Sequence, residues 1–503
     1  MDRKWWTLIA VCVATFMLLL DITIVNVALP DIQRSLDANF SDLQWVIDAY
    51  ALTLAALLLT SGSLADLLGR RRVFVLGLAV FTIASLLCGL AGSPLVLNLA
   101  RALQGVGGAM MFATSLALIA AAFQGAQRGT AIGAWGATIG AAVAVGPLVG
   151  GVLVDAIGWE AIFFVNLPIG AGAIALTLAM VDESRNPAEG TIDWAGTVTF
   201  SGALFGLVFG LIRGNVEGWG SPLILTMLIG AAVLLIAFVA VERRVEHPML
   251  ELALFRKPAF DGASIAAFVL SAAMFAMFLY LTLYIQNILG YSPLEAGVRF
   301  LPITLLSFAV APISGKLAER VGIRWFLGGG LLLVAVGLLL MRGLEPGDDW
   351  TALLAGFLVC GVGIGATNPA LATAAIGVVP PQRAGMASGI NSTFRQVGIA
   401  TGIAAYGALF THLVSSKFLD SVPQAARFGS GQRLSDFISF GGPERLGDPR
   451  IARAGEAAFT GALNDLLLLG AVVAFVGAVL SIVLTRPADF APHGVPAPEA
   501  AAA

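Results

Sequence analysis

The sequence predicts an all-α integral membrane protein of fourteen transmembrane helices, arranged as two six-helix bundles plus two inserted helices. Three observations predict it. Of the 503 residues 58% are apolar and only 12% charged, with a mean hydropathy of +0.90, whereas soluble domains carry about 25% charged residues. Apolar stretches of spanning length recur along the whole chain, and one motif of the first half returns in the second. The deficit of charge excludes a secreted, cytosolic or disordered chain. A net charge of −3, spread along the chain, gives no reason to expect a nucleic-acid partner. Cys12, Cys88 and Cys360 all fall in apolar runs, with no disulfide or zinc spacing, so no metal site is expected.

A helix needs about 20 apolar residues to cross roughly 30 Å of hydrocarbon. Such stretches lie near 5–29, 43–66, 73–93, 95–121, 131–156, 161–181, 194–213, 221–242, 260–287, 294–318, 325–342, 350–376, 385–412 and 459–485. The first is too long for a signal-peptide core, lacks a small-residue cleavage site and carries Asp21, so it reads as a retained helix. Orientation follows from the 28 Lys and Arg. With the N-terminus inside, the inner segments hold 16 of them, including Arg70, Arg71, Arg72, Arg243 and Arg244, and the short outer loops only Arg34, Arg213, Arg299 and Arg342. Both termini are therefore expected in the cytoplasm.

An internal repeat fixes the architecture further. SGSLADLLGRR at 61–71 returns as SGKLAERVGIR at 314–324, an offset of 253, with Asp66 replaced only by Glu319; Gln127-Arg128 returns as Gln382-Arg383. The offset exceeds what six helices use and locates an insertion. The expected plan is an N-terminal six-helix bundle (1–190), two inserted helices (191–257), a C-terminal six-helix bundle with a long outer loop at 413–458 (258–486), and a disordered cytoplasmic tail (487–503). Two bundles related by a repeat place a cavity at their interface near the bilayer midplane, with access alternating between the two sides.

Ionisable groups within spans are costly and mark function by default. Asp21, Asp48, Arg101 and Arg395 stand out, with Asp465 nearer a helix end. At a rise of about 1.5 Å per residue, Asp21, Asp48 and Arg101 share the outer half of the first bundle. Desolvation disfavours a charged carboxylate while a nearby guanidinium favours it, and a group between those pressures can exchange a proton. Two plainer readings stand beside this one: Asp21 bonding to neighbouring helices, and Asp48 sitting at the wet interface. Arg395 either faces the cavity or tethers a backbone carbonyl.

Gly62 and Gly69 permit a tight turn between the second and third spans, with Asp66 placed to meet Arg70 or a helix N-terminus. Gly136, Gly140, Gly146, Gly150 and Gly151 in the fifth span allow close helix approach, and Pro147 should bend it. Gly105-Val106-Gly107-Gly108 and Gly361-Val362-Gly363 lie within spans and read as packing; no P-loop is present. His247, His412 and His493 are outside spans or at their edges, leaving carboxylates as proton carriers.

These motifs resemble the major facilitator superfamily, in its fourteen-helix drug/proton antiporter branch of multidrug exporters of the quaternary-ammonium resistance type. Leu20-Asp21-Ile22-Thr23-Ile24-Val25-Asn26-Val27-Ala28-Leu29-Pro30 is similar to its helix 1 motif, Gln44-Trp45-Val46-Ile47-Asp48-Ala49-Tyr50 to its helix 2 entry, and the stretch from Gly62 to Arg71 to the superfamily signature. Arg101-Ala102-Leu103-Gln104-Gly105 resembles the motif associated with proton coupling, and Gly146-Pro147-Leu148-Val149-Gly150-Gly151 the antiporter motif. Gln286, Asn287, Gly290 and Tyr291 resemble the helix 9 ending, and Arg395-Gln396 the helix 13 pattern. Trp159-Glu160-Ala161 departs from the family's usual Trp-Arg-Trp and reverses a charge in an outer loop.

The resemblance implies proton-driven export of hydrophobic small molecules across a bacterial inner (plasma) membrane. Asp21, Asp48 and Arg101 would couple protons. Asn26, Gln286, Asn287, Arg395 and Gln396 would line the cavity, and Gly62, Asp66, Gly69, Arg70 and Arg71 would form a conformational latch. An acid at position 48 favours cationic compounds. The expected partners are small hydrophobic substrates, protons and lipid, with no protein partner and no cofactor beyond the proton gradient. A dedicated exporter of one metabolite or self-made antibiotic fits the same residues, and so does a non-transporting receptor, though a receptor has no need of intramembrane charges. No nucleophile and base pair at useful spacing suggests an enzyme.

Overall fold

The computed structural model describes residues 2–38, 40–123, 126–185, 193–245, 248–379, 383–422 and 449–486. Every predicted span coincides with a helix, and the described residues contain no strand. In chain order these are α1 (Arg3–Leu36), α2 (Phe40–Leu68), α3 (Arg70–Gly89), α4 (Pro94–Ala122) and α5 (Ala126–Ala156). Then come α6 (Ala161–Met180), α7 (Trp194–Glu217), α8 (Pro222–Glu242) and α9 (Pro258–Ile288). The last five are α10 (Leu301–Val321), α11 (Ile323–Leu340), α12 (Leu354–Gly377), α13 (Ala384–Ser421) and α14 (Pro449–Leu484). Among the described residues thirteen helices are long and apolar enough to cross a bilayer; α5 adds a helix of 31 residues.

Local chemistry sets the ends. The side chains of Ser93, Asp193 and Ser221 accept the N–H groups of Val96, Gly196 and Ile224 and so open α4, α7 and α8. Pro94 and Pro222 take first-turn positions, where a missing N–H costs nothing. Gly69 (φ 111°) and Gly322 (φ 106°) separate α2 from α3 and α10 from α11, a backbone region that disfavours a side chain. They stand one repeat apart.

The packing repeats as the sequence does. α2 lies on α4 and α3 on α4 in the first half; α10 lies on α12 and α11 on α12 in the second. Across the middle, α13 packs on α2 and α5 on α10. One apolar core draws on α9 to α14, with Tyr280, Phe357, Phe410 and Phe459 at its centre. Another is built on α1 to α6 around Phe74, Phe81 and Trp135. The inserted α7 fills the seam between α2 and α13, through Phe200, Leu204, Val208 and Phe209. Its partner α8 lies outside it and exposes Leu225, Ile229, Val233 and Ile236, the pattern of a helix facing lipid.

Three expectations change. The loop expected at 413–458 is helical at both flanks, because α13 runs on to Ser421 and α14 begins at Pro449; its centre, 423–448, lies outside the described residues. α5 begins at Ala126, before the expected span at 131–156, and is helical through position 147, where a bend is expected. Gly151 has no neighbour within 4 Å of where a Cβ would stand, so it is not a packing glycine. The tail at 487–503, Gln382, His247, His493 and the side chains of Asn26, Pro147 and Glu319 lie outside the described residues.

Candidate functional site

Asp21 is 1% exposed in the middle of α1, and five helices surround its carboxylate. Arg101 on α4 donates from Nη1 to Oδ2 at 2.5 Å. Gln104 on α4 and Asn166 on α6 donate to Oδ1 at 2.8 and 3.0 Å, and both also reach Ser85 Oγ on α3. Arg101 donates from Nε to the Val46 carbonyl of α2 at 2.9 Å and from Nη1 to Gln104 Oε1 at 2.7 Å. Its guanidinium carbon sits 4.4 Å from the Tyr50 ring centre, a cation–π contact. A charge removed from water needs a counter-charge and a full set of hydrogen bonds; here one cation and one anion meet with both satisfied.

Glycines let the helices come this close. A Cβ on Gly105 would collide with Thr53 Oγ1, and one on Gly107 would stand 2.8 Å from the Gly77 carbonyl. A Cβ on Gly146 would meet the Thr23 side chain, and one on Gly150 would stand 2.8 Å from Ile24 Cγ1. The α5 glycines therefore press α1 into place within one turn of Asp21.

Asp48 is not part of this network. It sits two turns before Ala56 on α2, and its carboxylate, 17% exposed, faces the inserted helix, where Arg213 Nη1 stands 3.8 Å away. Arg213 is held more tightly by Glu217 at 2.6 Å and Gln44 at 3.1 Å.

At the face that carries Arg70, Arg71 and Arg72, Asp66 reaches across from α2 to the start of α13. It accepts the N–H groups of Gly385 (3.1 Å, to Oδ1) and Met386 (2.9 Å, to Oδ2), while Arg70 pairs with it at 2.8 Å. A carboxylate suits a helix N-terminus because the first N–H groups lack partners in their own helix. Gly69 abuts the side chain of Glu183, which accepts the Arg71 N–H at 3.0 Å. The segment after α8 crosses the same seam: Ser63 donates to the Met249 carbonyl at 3.2 Å, Glu251 pairs with Arg383, and Lys257 Nζ donates to the Val378 carbonyl at 2.8 Å.

Arg395 on α13 is 8% exposed and donates to Asn368 Oδ1 on α12 at 3.0 Å. Gln396 is half-buried beside it. Gln286 and Asn287, also half-buried, lie in a wide π-type turn, Tyr284–Ile288, a winding common at functional sites. Sequence reasoning missed Asn166 as a partner of Asp21, Ser85 as the acceptor behind it, and Arg213, itself held by Glu217, as the cation facing Asp48. Gln104 was legible in principle, three residues after Arg101 and so on the same helix face. Arg213 was assigned to a loop because α7 runs a turn further than its apolar stretch.

The chain is 41% identical over 411 residues to the multidrug resistance protein Stp of Mycobacterium tuberculosis, covering 82% of this chain and 76% of that one. It is 33% identical to the tetracenomycin C resistance and export protein of Streptomyces glaucescens, over 99% of this chain and 95% of the other. The crystal structure of the human organic anion transporter MFSD10 (TETRAN) superposes with a TM-score of 0.63 at 14% identity, covering 94% of this chain and all of that one, a likeness of fold. The family model of the Major Facilitator Superfamily matches residues 11–403. The chain is a multi-pass membrane protein with the fold of a transporter, and it belongs to the Major Facilitator Superfamily.

Proposed function

We propose that the chain is a drug efflux transporter that exchanges hydrophobic, cationic small molecules for protons. The observation that carries the coupling is the buried pair of Asp21 and Arg101. A proton arriving at Asp21 displaces the Arg101 contact, and Arg101 keeps the Val46 carbonyl and Gln104 Oε1 as acceptors. The cation is never left without hydrogen-bond acceptors, which offsets part of the cost of losing its counter-charge. α1, which carries Asp21, is the helix that the α5 glycines clamp, so the protonation state reaches helix packing directly.

In this reading the basic face is cytoplasmic, both termini are inside, and the membrane is a bacterial inner membrane. Residues 1–190 and 258–486 rock against each other, with 191–257 wedged between them. Asp66 on the α13 N-terminus holds the cytoplasmic side shut, and its release opens it. The named functions of the relatives, multidrug resistance and antibiotic export, support a drug as cargo. One relative matched over 99% of the chain is named for a single antibiotic, which favours a single-compound exporter as the second reading.

Reconstitution into vesicles with an imposed pH gradient, and a panel of cationic dyes, neutral drugs and antibiotics, tests both. Gradient-dependent movement of several cations supports the first reading and movement of one compound alone the second. Transport indifferent to the pH gradient rejects coupling.

A further inference from the structure

The seam between α2 and the inserted α7 holds three charged groups that the proton step at Asp21 does not use. Asp48 and Glu217 are anions and Arg213 is the one cation between them. Of the charged groups on helices packed against α2, Arg101 is turned to Asp21 and Arg395 is bonded to Asn368. These three described groups together carry one negative charge in excess.

Arg213 is buried, 5% exposed, and its bonds are unequal. It is bonded to Glu217 and Gln44 but stands beyond hydrogen-bond distance of Asp48. Among the described residues its Nε has no hydrogen-bond partner, so the guanidinium has a donor to spare if it swings toward Asp48. Trp45 lies three residues before Asp48 on α2, so the two share a face. Trp45 is partly buried, and its ring stands 5.4 Å from the Arg213 guanidinium. An indole that already faces one cation, beside a partly exposed carboxylate, is recognition chemistry for a hydrophobic organic cation.

We infer that Arg213 is a tethered counter-cation that competes with a monovalent organic cation for Asp48 and Trp45, so that the inserted helix α7 sets the cation affinity of the transporter. With the guanidinium drawn to Glu217, the Asp48 carboxylate is open to the substrate, whose apolar body shares the Trp45 ring with Arg213. With it drawn to Asp48, the substrate is expelled. The inference rests on the efflux reading above and adds to it a residue of the inserted pair.

Two substitutions separate this from a structural role, because they act in opposite directions. Arg213→Gln removes the competitor, and Glu217→Gln removes the group that holds the competitor away. Uptake kinetics in vesicles are measured for ethidium, a monovalent cation, and chloramphenicol, which is neutral. The KM for ethidium relative to that for chloramphenicol should fall about three- to tenfold in Arg213→Gln and rise by a similar factor in Glu217→Gln, a scale set by the modest worth of partly exposed ion pairs. Arg213→Lys should restore the wild-type ratio. Glu217 is partly exposed, so Glu217→Gln is informative even if Arg213→Gln fails to fold. Equal or same-direction shifts in the ratio overturn the inference while leaving efflux intact. A wild-type protein that moves neither compound nor any other of the panel overturns the efflux reading itself.

Discussion

Gly62 on α2 and Gly385 on α13 meet with no room for a side chain: a Cβ on Gly62 would collide with the Gly385 carbonyl oxygen. The same contact occurs one repeat later, where a Cβ on Gly315 would collide with the Gly129 carbonyl oxygen. The next turns match as well. A Cβ on Gly389 would stand 3.0 Å from the Leu58 carbonyl oxygen, and one on Gly133 2.8 Å from that of Ala311, the residue 253 positions after Leu58. The basic face is thus closed by two copies of one backbone contact, α2 on α13 and α10 on α5.

A side chain at either contact must push the two halves apart. Gly62→Leu and Gly315→Leu should each weaken the closed state by about 1–3 kcal/mol, the usual cost of overpacking, and cut dye efflux at least tenfold. Gly230→Ala, on the lipid-facing α8 where nothing lies within 4 Å, should leave efflux unchanged. Cysteine labelling at the basic face reports the opening directly. Unchanged labelling in both leucine variants would show that these contacts do not set the closed state.

Asp66 joins the halves by a different force. Its carboxylate caps α13 and is 1% exposed, so Asp66→Ala leaves Arg70 without its anion and two helix N–H groups without acceptors. Removal of one member of a buried ion pair costs about 3–5 kcal/mol, and loss of a cap about 1 kcal/mol. Asp66→Asn keeps an acceptor and should retain part of the cap. The melting temperature in detergent should therefore order wild type, Asp66→Asn, Asp66→Ala, from highest to lowest.

The spans were legible because hydrocarbon forces both length and composition, and the repeat was legible because glycine contacts such as Gly62 and Gly315 tolerate no substitution. Asp21 and Arg101 could be singled out because charge in a span is costly. Their meeting could not be read, since nothing in a linear sequence brings α1 to α4. The same limit hid Arg213 as the partner of Asp48, 165 positions away in the chain. Helix ends were also misjudged where α7, α13 and α14 continue past the bilayer core as polar helix, because hydropathy marks the membrane and not the helix.

The Asp21 network changes how its role must be tested. Asp21→Asn alone leaves the buried Arg101 charge uncompensated, at a cost of about 3–5 kcal/mol, so lost transport in that variant could reflect misfolding. Asp21→Asn with Arg101→Gln removes both charges and keeps polar groups in place. The double variant should melt several degrees above Asp21→Asn, yet release no protons when substrate is added to vesicles. Proton release at the wild-type rate from the folded double variant rules out Asp21 as the carrier.

The segment that follows α8 makes a final, geometric prediction. It is bonded to the second half by Glu251 with Arg383 and by Lys257 with the Val378 carbonyl, and it leads directly into α9. Among the described residues its hydrogen bond to the first half is the one from Ser63 to the Met249 carbonyl. When α2 and α13 separate, the segment must therefore stay with the second half, and the Ser63 contact must break. In a background with Cys12, Cys88 and Cys360 replaced by alanine, a short thiol cross-link between Ser63→Cys and Met249→Cys should stop efflux until it is reduced. A cross-link between Glu251→Cys and Arg383→Cys should leave efflux running, because those two residues travel together. The reverse pattern would mean that the segment moves with α2, and that the inserted helices belong mechanically to the first half.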